Sequence, residues 1–322
     1  MTLDASALLT RELRAAIRAE FSDLRPRDFE VARLLGSGES ADAVLVRDLV
    51  VRIPHHRLHD TNLEVEARVL ELLEARAVPS TPRGVRVLLV RDGAPLAFAY
   101  RYIDGQPSHL AHLRGAARER YARDLGRFLG ALHAVPRARA REAGLSGANH
   151  WRATYVPLIE DCRPHLPRAL QSELEQLVVQ FASLVARTPR VLVHGDVSGF
   201  HTLVRTDGAL AGVIDFGDAA IADPAIDFAG VLNHHSRALL RRALSYYGRA
   251  VDPEALQRAE FFIALVPLFT MRTAGLEGDE ATLRAAIADL RRRVRRAMAR
   301  GPGEPYHAPG APGAAAARNG LR

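Results

Sequence analysis

The chain has 322 residues, 48% hydrophobic and 25% charged, which is enough apolar material for a full core in one large or two modest domains and excludes a disordered chain. Its 44 basic residues, all arginine, outnumber 37 acidic ones, and the excess gathers late, at Arg284, Arg291, Arg292, Arg293, Arg295, Arg296 and Arg300. With no aromatic or motif partner, that segment reads as a solvated helix face, not a nucleic-acid surface. The single cysteine, Cys162, excludes an internal disulfide; no basic-then-apolar start and no uninterrupted apolar run of about 18 residues is present, so a cytoplasmic protein without membrane contact is expected.

In chain order, Leu8, Leu9, Leu13 and Ile17 predict a helix over 4–21, and Phe29 to Leu35 reads as a strand ending at Gly36. Ala43–Val46 and Leu49–Ile53 flank Arg47-Asp48 as a hairpin closed by Pro54. Leu63 to Leu73 is helical, and Val85–Val90 and Leu96–Ile103 are strands. Asp104, Gly105 and Pro107 then break the pattern and set a boundary between residues 1–104 and 105–300. Beyond it helices dominate: Leu125, Phe128, Leu129 and Leu132 share one face, and Leu170, Leu174, Leu177, Val178, Phe181 and Leu184 another. Val191–Val193 and Leu210–Ile214 interrupt them as strands of one small sheet, each running into an aspartate-bearing loop. Phe261 to Phe269 with Met271 reads as a core helix, and residues 301–322, rich in Gly, Pro and Ala, as a disordered tail.

The window from His194 to His235 holds Asp196, Asp207, Asp215, Asp218, Asp223 and Asp227 against Arg205 alone, so it should attract cations. Within it stands His194-Gly195-Asp196-Val197-Ser198-Gly199-Phe200-His201. An H-x-D carboxylate with a metal ligand five residues on is how kinase-type phosphotransferases place a base for a hydroxyl proton beside a metal site. Val213-Ile214-Asp215-Phe216-Gly217 follows, an apolar strand ending in Asp-Phe-Gly, where the carboxylate would meet Mg²⁺. Asp196 is therefore the candidate catalytic residue, and His201 and Asp215 the candidate metal ligands. Ser198 and Asp218 are candidates for the acceptor, although a loop serine more often closes a turn, and Asp223 and Asp227 read as scaffold.

Upstream, Leu35-Gly36-Ser37-Gly38-Glu39-Ser40 lies between strands, where small residues let backbone N–H groups close over phosphates. Arg52 stands on the next strand where kinases carry a phosphate-touching lysine, and Glu66 shares the apolar face of its helix with Leu63, Leu70 and Leu73. An inward carboxylate needs a cation, and Arg52 is the nearest candidate.

These motifs resemble the antibiotic phosphotransferases of kinase-like fold, the aminoglycoside and macrolide phosphotransferase family, over roughly residues 30 to 275. HGDVSGFHTLV is similar to their catalytic loop in the subset with His in place of Asn, and GVIDFGDAAIADPAIDF to their metal-binding stretch. VVRIP, EARVLELL and FLGALHAVP resemble the macrolide enzymes, whereas IDFGDAAIADP and AYRYIDG resemble aminoglycoside 2''-phosphotransferases. The resemblance implies an α+β bilobal fold, with an antiparallel sheet lobe binding nucleotide and a larger helical lobe binding acceptor. It further implies ATP or GTP as co-substrate with Mg²⁺, a hydroxylated and cationic small-molecule acceptor, and a hinge at Tyr100 to Ile103. Arg101, Tyr102 and Ile103 would there meet the base, the first and last through backbone groups. The same motifs admit a kinase for another metabolite, or a degenerate binding module; Gly195 in place of the HRD arginine and the lack of Ala-Pro-Glu argue against a protein kinase.

Overall fold

The computed structural model describes residues 5–38, 41–55, 61–89, 95–148, 150–185, 188 and 190–300. The expected long first helix is two, α1 (Ala5–Leu8) and α2 (Arg11–Glu20), because the Thr10 hydroxyl accepts the Leu13 N–H at 3.2 Å and caps a new start. Phe29 belongs to a third helix, α3 (Pro26–Glu30), and not to the strand. Pro26 suits a first helical position and the Asp28 carboxylate accepts the Arg25 N–H at 2.7 Å, which together favour a helical turn over extension.

The first sheet then forms from β1 (Arg33–Ser37), β2 (Ala41–Val46), β3 (Leu49–Pro54), β4 (Arg86–Leu89) and β5 (Pro95–Arg101), in the order β1-β2-β3-β5-β4, all antiparallel. The β2–β3 hairpin pairs Val46 with Leu49 across Arg47-Asp48, as its sequence predicts. Strand alternation divides its side chains: Val44, Val46, Leu49, Val51 and Ile53 pack on the first three helices, and Leu45 and Val50 on α4 (Thr61–Ala75). Arg52 shares the face of Val50, so the pleat alone delivers it to the α4 side. There Glu66, in register with Leu63, Leu70 and Leu73, is buried.

After β6 (Gln106–Pro107) the chain is mainly helical: α5 (Gly115–His133), α6 (Arg137–Glu142), α7 (Val156–Cys162) and α8 (Arg168–Val185). Four short strands follow, β7 (Val191–Val193), β8 (Thr202–Val204), β9 (Leu210–Val213) and β10 (Ala220–Ala222), and then α9 (Ala225–His234), α10 (Arg237–Leu244), α11 (Ala255–Glu277) and α12 (Glu280–Arg300). β7 and β9 do not share one sheet, as expected from sequence; β7 pairs with β10, and β9 pairs with β8, which also pairs with β6. This nesting sets the loop between β7 and β8 beside the loop between β9 and β10.

α11 is apolar enough, by length and mean hydropathy, to cross a bilayer, a property that an unbroken-run criterion overlooks because Arg258, Glu260 and Arg272 interrupt it. Phe261, Phe262, Leu265, Leu268 and Met271 are buried, so much of that apolar face packs into the helical core.

Candidate active site

The loop after β7 is built on buried polar scaffolding. The Asp227 carboxylate, wholly buried at the start of α9, accepts the N–H groups of His194 at 3.0 Å and Gly195 at 2.9 Å, and a third bond of 2.9 Å joins it to His133 Nε2. His194 donates from Nε2 to the Ile214 carbonyl at 3.0 Å and accepts the Asp196 N–H on Nδ1 at 3.2 Å. That pattern requires the neutral ring, in keeping with burial, which lowers its pKa. Gly195 takes φ +91°, and a Cβ there would stand 2.2 Å from the Asp218 carbonyl, so no other residue fits where the two loops meet.

Asp196 projects from this loop, its side chain 42% exposed. His201 Nδ1 lies 3.1 Å from Asp196 Oδ2 and 3.0 Å from the Asp196 carbonyl, while its Nε2 lies 3.7 Å from Asp215 Oδ2. Burial works against charge on His201, but the hydrogen bond to Asp196 and the two carboxylates outweigh it and raise its pKa to about 9. Burial likewise opposes the Asp196 carboxylate, and the bond from His201 more than compensates, holding its pKa below the ordinary value.

Asp215 sits at φ +66°, a strained conformation for a residue with a side chain, of the kind that persists at functional sites. Its Oδ1 is 2.9 Å from Arg52 Nη2, which is also 3.4 Å from Glu66 Oε2. Glu66 Oε1 accepts the Phe216 N–H at 3.1 Å, so α4, β3 and the Asp-Phe-Gly turn are tied by one buried carboxylate. Burial pushes the Glu66 pKa up to about 7 against the pull of Arg52. Arg52 Nε is buried without a hydrogen-bond partner among the described residues.

A cleft of about 330 Å³ opens beside this chain of contacts. Ser37, Gly38, Arg52, Tyr102, Ile103 and Asp215 line it, joined by the apolar Leu35, Val50, Leu203 and Ile214, which no motif marks as site residues. Those apolar residues looked like ordinary core, and only their convergence distinguishes them. Arg101 does not line the cleft: its N–H is bonded to the Arg83 carbonyl at 2.9 Å and its guanidinium pairs with Asp48. Glu39 and Ser40 lie outside the described residues. Ser198 is buried and turned into the loop, its N–H on the Asp196 carbonyl at 2.8 Å and its carbonyl accepting from Thr202. Asp218 is exposed beside Gly195.

The acidity of the His194 to His235 window is partly cancelled by tertiary contacts. Asp207 pairs with Arg120 at 2.6 Å, Asp223 with Arg258 at 2.7 Å, and Asp227 with His133. His235 joins Ser108 at 3.0 Å and Tyr121 at 3.3 Å in a polar knot.

As for metal, Asp215 spends Oδ1 on Arg52 and turns Oδ2 toward His201 Nε2, a separation that two ligands of one ion can have. Among the described residues no group of three or more His, Cys, Asp or Glu could hold a metal. Mg²⁺ takes one or two protein carboxylates and completes its shell with phosphate and water oxygens, so the Asp215 carboxylate is the donor here that fits it. The imidazole nitrogen is the less usual donor for so hard a cation.

Three kinds of likeness bear on this site. A viomycin phosphotransferase of Streptomyces vinaceus is 28% identical over 178 residues, 54% of this chain and 61% of that relative, so the chain spans less than two thirds of it. The GDP and kanamycin complex of an APH(2'')-IIIa structure superposes with a TM-score of 0.73 at 26% identity, covering 91% of this chain and 100% of the other. Macrolide 2'-phosphotransferase MphH from Brachybacterium faecium shares the fold at a TM-score of 0.66 and 23% identity, covering 85% and 96%. The family described as the phosphotransferase enzyme family matches residues 31–262, more than half of the chain, and with the bilobal kinase-like architecture in place the protein belongs to that family.

Proposed function

We propose that this chain transfers the γ-phosphate of ATP or GTP to a hydroxyl of an aminoglycoside or macrolide antibiotic, which would inactivate the drug. The observation that carries this reading is the line of contacts from Asp196 through His201, Asp215 and Arg52 to Glu66, drawn from four separate segments, with Arg52 and Asp215 lining one cleft. The names of the relatives, one acting on viomycin and one holding GDP with kanamycin, support a nucleotide and a drug as the two substrates.

In the proposed reaction the acceptor oxygen bonds to the γ-phosphorus, the bond to the β,γ-bridging oxygen breaks, and the hydroxyl proton passes to Asp196. The products are a phosphate ester and the nucleoside diphosphate. Asp196 suits this role because it is ionised, half exposed and oriented by His201. Asp215 and His201 would hold Mg²⁺, with Arg52 beside them to meet phosphate oxygens. The ion, when bound, neutralises charge on the β- and γ-phosphate oxygens. Ser37 and Gly38 would close over the phosphates, and Tyr102 and Ile103 would meet the base. Asp218 is placed to receive an acceptor amine, whereas the buried Ser198 holds the loop in shape. A supply of nucleoside triphosphate implies a cytoplasmic setting.

The test is nucleotide consumption by the purified chain, with ATP and GTP in turn and Mg²⁺ present, across aminoglycosides, macrolides and nucleoside antibiotics. Acceptor-dependent turnover with a phosphate-sized mass gain on the drug is expected. Turnover only with an unrelated hydroxylated metabolite would replace the drug by that acceptor, and nucleotide binding with no acceptor at all would leave a binding module.

A further inference from the structure

Beside Asp196 the catalytic loop meets two other elements at van der Waals limits. A Cβ on Gly199 would lie 2.8 Å from His109 Cβ and 3.0 Å from His234 Cβ, and His109 donates from Nδ1 to the Gly199 carbonyl at 2.9 Å. Phe200 covers the junction, its ring centroid 4.1 Å from that of His109 and 5.1 Å from that of His234, yet it remains 54% exposed. Three rings thus form a platform four residues along the loop from the reacting carboxylate, with an apolar face open to a ligand.

Asn233 and His235, the neighbours of His234 at the end of α9, line a cavity of about 760 Å³, within the range of small-molecule sites. Asn233 lines it, held through Oδ1 by Arg293 at 2.8 Å, and Arg293 also reaches the Ile263 carbonyl at 3.2 Å. Its charged wall comprises Arg237, Arg292, Arg293 and Arg296 against Glu260 and Asp289. Both carboxylates are already ion-paired, Glu260 with Arg237 and Asp289 with Arg293 at 2.8 Å and Arg292 at 3.0 Å. Four guanidinium groups against two committed carboxylates leave the wall net positive. An acceptor bearing several ammonium groups would meet repulsion there, whereas carbonyl or carboxylate oxygens would meet the exposed guanidinium of Arg296, whose three arginine neighbours are already bonded to Glu260, Asp289 and Asn233.

Resting on the phosphotransferase reading above, we infer that the His109–Phe200–His234 platform and this arginine-walled cavity form the distal acceptor subsite. It selects an acceptor with at most one ammonium group, an apolar face and oxygen acceptors remote from the reacting hydroxyl. Among the drug classes proposed above, the singly charged macrolides fit this description and the polycationic aminoglycosides do not.

The experiment compares kanamycin, a polycation, with a macrolide carrying one tertiary amine, using full-length protein, Mg²⁺ and its preferred nucleotide. The macrolide is expected to show kcat/KM at least about tenfold higher. Phe200→Ala, at an exposed position, is expected to raise the macrolide KM about tenfold with nucleotide KM unchanged. The exposed-side-chain pair Arg292→Glu and Arg296→Glu together should raise the macrolide KM and improve binding of kanamycin. A wild-type preference for kanamycin, or acceptor KM values unmoved by these changes, would overturn the inference. Calorimetric titration of both drugs into the nucleotide-bound Asp196→Asn protein separates this from the parent reading. Macrolide binding without turnover in the wild type would reject the phosphotransferase step alone, while tighter kanamycin binding, or binding of neither drug, would reject the subsite.

Discussion

Two sets of carboxylates stand within the same short stretch of chain, and their surroundings set them apart. Asp227 is fully buried and its oxygens take bonds from His194, Gly195 and His133; Asp223 is buried against Arg258, which is itself fully buried and also pairs with Asp252 at 2.7 Å. Both oxygens of each carboxylate are held by the fold, those of Asp223 by Arg258 and the Ala225 N–H. Asp196 and Asp215 are part-exposed, and Asp215 holds one oxygen against Arg52 while the other turns to the cleft side. A scaffold carboxylate is saturated by its own fold, and a working one keeps valence in reserve for a ligand. The strained φ of Asp215 and the unpartnered Nε of Arg52 set this pair apart from the scaffold carboxylates and fit the proposed role.

The contrast can be broken first at its catalytic end. Asp196→Asn should leave the fold intact, by circular dichroism and thermal melting, and lower kcat by roughly 10²- to 10⁴-fold. A variant with ordinary turnover would remove Asp196 from the mechanism and with it the distinction drawn above.

At the scaffold end, Arg258→Met should destabilise the protein by about 3–5 kcal/mol, because it strands Asp223 buried and unpaired. Adding Asp223→Leu is expected to recover much of that loss in denaturant titration, with activity retained in the stable double variant. Recovery of stability without activity would show that Asp223 shapes the site as well as the core.

A third measurement follows proton linkage. The pKa of His201 in the folded state is about 9, above the ordinary histidine value near 6.5. A raised folded pKa means that stabilisation is complete below about pH 6.5 and is lost as pH rises through about 9. The metal-free protein should therefore lose about 2–3 kcal/mol across that window, and His201→Asn should flatten the dependence. An unchanged slope in the variant would show that His201 is not the titrating group.

The smallest effect is expected at Arg52→Lys, which keeps the charge but replaces the planar guanidinium, whose Nη2 reaches both Asp215 and Glu66, by a compact ammonium on a different stem. Nucleotide KM should rise about tenfold, roughly 1.4 kcal/mol, with acceptor KM little changed. A larger fall in kcat would mean that Arg52 also orients Asp215 in the reacting complex.

Much of this was legible without coordinates. The alternation of Val50, Val51, Arg52 and Ile53 sends Arg52 to one side of a strand, the helical spacing of Leu63, Glu66, Leu70 and Leu73 turns Glu66 inward, and two aspartate motifs in order mark the two candidate loops. Those features are local, and local patterns follow from pleat, turn and helical period. The two-way role of Arg52 was not legible, because its bond to Asp215 joins residues 163 apart in sequence. Neither was the pairing of β7 with β10, the ring platform of His109, Phe200 and His234, nor the commitment of Asp223 to Arg258. Sequence determined which residues were chemically able to act; only the tertiary fold decided which of them were already satisfied, because long-range pairing alone fixes whether a buried charge has spent its hydrogen bonds.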